Sequence, residues 1–128
     1  MGIRYRFEDF HKALIHEINT LERYDDEVTE GHQLSVVLFF NQGELDHELL
    51  ADILAKASRK SDLIFHDKGR FILLMPATNP EGAKHTLLAM HDCIKNLEHL
   101  HILSYPRDGF LDETFYAKCS SILEGLGQ

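Results

Sequence analysis

The sequence predicts an α+β fold: a ferredoxin-like βαββαβ sheet with flanking N- and C-terminal helices, in a single domain spanning residues 1–128. Three observations predict it. Apolar residues recur at three- and four-residue steps in several segments, which is helical spacing. Short apolar runs of strand length lie between those segments. From residue 34 onward the two kinds alternate as strand, helix, strand, strand, helix, strand.

Taken in order, residues 7–24 read as an amphipathic helix, with Phe7, Phe10, Leu14, Ile18 and Leu21 on one face. Residues 25–33, DDEVTEGHQ, read as an acidic loop. LSVVLFF at 34–40 is a continuous apolar run, as expected at a sheet centre. A helix over 44–58 carries Leu45, Leu49, Leu50, Ile53 and Leu54 on one side. Residues 61–66 and 70–75 read as strands joined by a tight hairpin, with Gly69 supplying a positive φ. Leu63, Phe65, Phe71 and Leu73 are expected on one sheet face, and Ile64, Ile72 and Leu74 on the other. Thr78 and Glu81 have capping-box spacing around Pro80, and so open the next helix. Its inner face reads Ala83, Leu87, Met90, Ile94 and Leu97. A strand over 100–104 follows, then the turn YPRDG. The last helix runs through Phe115, Cys119, Ile122 and Leu126 to Gly125 and Gly127.

Composition narrows the function. With 44% apolar and 27% charged residues, the 128-residue chain is globular and long enough for a core of its own. A formal net charge of −8 argues against broad binding to nucleic acid or to an anionic membrane surface. No apolar run reaches the roughly 18 residues of a membrane span, so no membrane insertion is expected. Cys93 and Cys119 lack metal or redox spacing and read as buried thiols of a cytoplasmic protein. Nine histidines show no metal-ligand pattern beyond the alternating His99 and His101, and no metal site or cofactor is expected.

Several motifs, in one order along the chain, resemble a bacterial GGDEF domain, the fold that makes cyclic di-GMP. They are Gly2-Ile3 with Arg6 before the first helix, LSVVLFF, Gly43-Glu44, RKSD at 59–62, FILLMPATNPEGA and YPRDG. The breaks in the resemblance lie together. Where active members carry a magnesium-binding Asp at the end of the first strand, this chain has Phe40. Only Asn41 and Gln42 stand between Phe40 and Gly43, so most of the guanine-binding loop is missing. The signature hairpin is degenerate: it reads Asp67, Lys68, Gly69, Arg70, Phe71, with Lys68 at a glycine position and Arg70 at an acid position. Phosphoryl transfer needs metal ions held by carboxylates. The resemblance therefore implies a scaffold without cyclase activity. It implies a regulatory module that acts through a protein partner in bacterial signalling.

Arg59 and Asp62 match the family's R-x-x-D site, which binds cyclic di-GMP away from the catalytic centre. Arg offers two donors to a guanine edge, and a carboxylate accepts from guanine N–H groups. Arg59 also fits as a helix C-terminal residue and Asp62 as a local cap. Both readings stand at this point. The alternatives are thus a cyclic di-GMP receptor and an unrelated ferredoxin-like sensor of a small molecule. Glu44 replaces a guanine-contacting Asp of the family and also suits a helix N-terminus. Lys68 and Arg70 are expected on an exposed hairpin, open to an anionic ligand or an acidic partner.

Overall fold

The structure is a computed structural model, and it describes residues 2–23, 33–42, 46–90, 100–109 and 111–126. It is α+β, with a mixed sheet of five strands and four α-helices. The strands are β1 (Ile3–Arg6), β2 (Leu34–Phe40), β3 (Leu63–Asp67), β4 (Arg70–Met75) and β5 (His101–Tyr105). The helices are α1 (Phe10–Arg23), α2 (His47–Ala57), α3 (Pro80–Ala89) and α4 (Asp112–Gly125). Across the sheet the order is β1-β3-β4-β2-β5. Among the described strands, only the β1–β3 pair is parallel.

Every residue of β2 except Phe40 is buried, because helices cover both faces of the sheet. On one face, Leu50, Ala51 and Leu54 of α2 and Ala83 and Leu87 of α3 pack on Val37, Phe39, Ile64, Phe71 and Leu73. On the other, Phe10, Leu14 and Ile18 of α1 and Phe115, Cys119 and Leu123 of α4 pack on Val36, Leu38, Phe65, Ile72 and Leu74.

The structure departs from the expected elements in five ways. β1 precedes the N-terminal helix, and a 3₁₀ turn over Phe7–Asp9 leads from it into α1. Residues IRYR alternate, but half of them are charged and all are exposed, so no apolar run announces a strand. The hairpin register differs by one. Asp67 pairs with Arg70, Phe65 with Ile72 and Ile64 with Leu73. Phe65 therefore shares a face with Ile72 and Leu74, and Phe71 with Ile64 and Leu73. A two-residue loop pairs odd positions with even ones, whereas the three-residue loop expected from sequence pairs like with like.

The cap of α3 is Asn79, whose Oδ1 accepts from the Gly82 N–H at 2.7 Å; Thr78 is buried and bonded elsewhere. Leu49 is largely exposed, since its neighbours Leu50 and Ala51 face the core. Finally, Arg70 is largely covered: it bonds Asp67 and its guanidinium lies 4.8 Å from the Phe7 ring centre. Gly43, Glu44, Leu45, Cys93, Ile94, Leu97, His99, Gly127 and most of the acidic loop lie outside the described residues.

Candidate functional site

Two places carry the residues singled out above. The first is the open end of β2 with the β3–β4 hairpin. Lys68 has φ 52° and Gly69 φ 86°, so both loop residues are left-handed, as a type I′ turn requires. The turn brings Gly69 under Phe40, and the Asn41 N–H donates to the Gly69 carbonyl at 2.8 Å. A β-carbon on Gly69 would lie 2.7 Å from Phe40 Cε2 and 3.3 Å from His47 Cε1. The side chains of Asn41 and His47 meet at 2.9 Å. Phe71 is fully buried, its ring stacked on Phe39 at 5.2 Å and on His66 at 5.0 Å. Aromatic packing and an internally paired arginine thus fill this end of the sheet. Among the described residues, no group of three or more His, Cys, Asp or Glu comes together as a metal site.

The second place is the junction after α2. The chain turns there because the Asp62 N–H donates to the Arg59 carbonyl at 3.0 Å. The carboxylate of Asp62, fully buried, accepts from the Arg59 N–H at 2.9 Å and from Arg59 Nη2 at 3.1 Å. Arg59 Nη2 also donates to the Pro76 carbonyl at 3.0 Å and to Thr78 Oγ1. Arg59 and Asp62 are therefore brought together, and both are bonded within the chain. The guanidinium remains at the surface, with 53% of the Arg59 side chain exposed.

Thr78, expected from sequence as a helix cap, instead belongs to this junction. Its N–H donates to Gln33 at 3.1 Å, its carbonyl accepts from Ser35 Oγ at 2.7 Å, and its hydroxyl donates to Pro76 at 3.0 Å. These bonds tie the β4–α3 loop to the start of β2 and explain why Asn79 caps the helix instead. The Asp62 carbonyl meanwhile accepts from the Ile3 N–H at 2.9 Å, so the same junction anchors β1. Gly2 fits there because it lacks a side chain: a β-carbon would lie 2.7 Å from Ile64 Cδ1.

A third cluster was missed in the sequence. Arg4 bonds Glu48 and Asp52 on α2, and its Nη2 lies 3.2 Å from His66 Nε2. Hydrogen bonding to Glu48 raises the Arg4 pKa above its ordinary value, so the guanidinium stays charged. Glu48 and Asp52 are four apart on one helix, a visible signal that lacks a partner until β1 is known. Cys119 is buried, and desolvation pushes its thiol up to about 12, which leaves it unreactive at neutral pH.

No family model matches the chain, and no curated protein matches it.

Proposed function

We propose that this chain is a catalytically inactive GGDEF-like regulatory module that acts by docking another protein in the bacterial cytoplasm. The observation that carries the reading is the packing of Phe40 on Gly69. A cyclase needs a carboxylate at the end of that strand to hold a metal ion, and open backbone at the hairpin for the phosphates. Here an aromatic ring takes up the space over the glycine. Arg70, at an acid position of the signature, is bound to Asp67 and Phe7. The order β3-β4-β2-β5 is that of a ferredoxin-like unit, which also supports a GGDEF-like scaffold.

A second reading keeps a ligand. The Arg59 side chain is half exposed, which favours a role as the guanine-binding arm of a cyclic di-GMP receptor. Against it stands the commitment of the Asp62 carboxylate to Arg59 itself.

Titration calorimetry separates the two. The docking reading expects no heat from GTP with Mg²⁺ and none from cyclic di-GMP into the high micromolar range. Saturable heat with cyclic di-GMP that disappears in Arg59→Ala replaces the docking module with the receptor. Saturable heat from GTP that depends on Mg²⁺ overturns the loss of the metal site.

A further inference from the structure

One nitrogen joins three segments at the junction after α2. Arg59 Nη2 donates to the buried Asp62 carboxylate, to the Pro76 carbonyl and to Thr78 Oγ1. Asp62 in turn holds β1, since its carbonyl accepts from the Ile3 N–H at 2.9 Å. Thr78 holds the β4–α3 loop to the start of β2 through Gln33 and Ser35. That loop is strained at Ala77, which has φ 52°. β1 is exposed along its whole length and, among the described strands, pairs with β3 alone. Its ion pairs, from Arg4 to Glu48 and Asp52, lie at the surface, where such pairs contribute little.

We propose that Arg59 is the latch of a conformational switch: when its guanidinium lets go, β1 and the β4–α3 loop open together while the rest of the sheet stays folded. Two facts make this contact a latch rather than a fixed brace. The Arg59 side chain is 53% exposed, so it can be reached and drawn outward. Either two-donor edge of a guanidinium also includes Nη2. A carboxylate, a phosphate or a guanine edge that grips Arg59 in a fork therefore takes this nitrogen from the junction. The switch is a property of the fold and rests on neither functional reading.

The coupling runs through Asp62. Its side chain is fully buried, and without the Arg59 arm its carboxylate retains, among the described residues, only the bond from the Arg59 N–H. A buried carboxylate stripped of its counter-charge is costly, so the turn at 59–62 gives way to let it reach water. The Asp62 carbonyl moves with that turn and releases Ile3. On the other side, Pro76 and Thr78 lose the donor that holds the strained loop, and the Thr78 N–H leaves Gln33.

The test is native-state amide exchange by NMR on the full chain in low urea. In the wild type the amides of Ile3, Asp62 and Thr78 are expected to share one opening free energy and one shallow urea slope. Arg59→Ala speeds all three by a common factor of at least about tenfold, as the loss of bonds from a charged donor implies. The Asn41 N–H, bonded to Gly69 at the other end of β2, keeps its rate. Thr78→Val leaves Arg59 and Asp62 in place and removes one acceptor of Nη2. It speeds the Ile3 amide as well, although Thr78 and Ile3 share no bond. A thermal melt of each variant checks that the fold is kept, and Thr78→Val carries the test if Arg59→Ala does not fold. Ile3 exchange that ignores these substitutions overturns the proposal, as do three amides with separate urea slopes. An Asn41 amide that speeds by the same factor shows a brace of the whole fold, and also overturns it.

Discussion

The ring of Phe40 lies over Gly69 so closely that a β-carbon on the glycine would sit 2.7 Å from Cε2. Gly69 also has φ 86°, where a side chain is strained in its own right. Gly69→Ala is therefore expected to cost about 1–3 kcal/mol. Phe40→Ala removes the contact but leaves the backbone strain. In that background the cost of Gly69→Ala falls by at least about 0.5 kcal/mol. Urea unfolding of the four proteins of this cycle checks both values, and equal costs in the two backgrounds contradict the packing.

Lys68 occupies a left-handed position that Asn tolerates better. Lys68→Asn is expected to stabilise the fold by about 0.5–1 kcal/mol, with no loss of any contact to the core. A lower unfolding midpoint in urea would show that the type I′ turn is not formed.

Much of the fold was legible because it follows from apolar spacing. The buried run at Leu34–Phe39, the inner face of α1, Phe115 and Cys119 of α4, and Ala83 and Leu87 of α3 stand where periodicity puts them, whereas α4 buries Leu123 and leaves the expected Ile122 and Leu126 only partly covered. β1 was not legible, since Ile3-Arg4-Tyr5-Arg6 is short and charged and becomes a strand only by pairing with β3. The hairpin faces were reversed on one side because Asp67 reads as a loop residue but belongs to β3. At the junction, Arg59 and Asp62 were visible as a pair. Their partners Pro76 and Thr78 lie more than a dozen residues on, and no local pattern links them.

The Arg59 guanidinium bonds the residues on either side of Ala77, which has φ 52°. The clamp holds that strained conformation in place. Ala77→Gly is expected to stabilise by about 0.5–1 kcal/mol. Arg59→Ala destabilises, and the two effects couple by at least about 0.5 kcal/mol, because a glycine loop no longer needs the clamp. Additive effects in a double-mutant cycle would show that Arg59 does not hold this loop.

Asp108 sets part of the acid sensitivity. Burial pushes its carboxyl up, but hydrogen bonds from Arg107 and from the Ser104 N–H outweigh this and hold it below its ordinary 3.8. The stabilisation is fully present above that ordinary value and is lost as pH falls through the lower folded one. Asp108→Asn is expected to lower stability near neutrality and to flatten the fall between about pH 5 and pH 2. Urea midpoints of both proteins across that range check it. Parallel pH profiles would show that Asp108 keeps its ordinary value in the folded chain.

The central proposal is a GGDEF-like scaffold without cyclase chemistry. The most direct measurement is product formation from GTP over several hours with Mg²⁺ or Mn²⁺, read by mass spectrometry of the nucleotides. No cyclic di-GMP above the protein-free control is expected, either from the wild type or from Phe40→Asp, which adds one acid without removing the contacts of Arg70. Cyclic di-GMP that accumulates in proportion to purified wild-type protein, and disappears when the metal is chelated, would contradict the account.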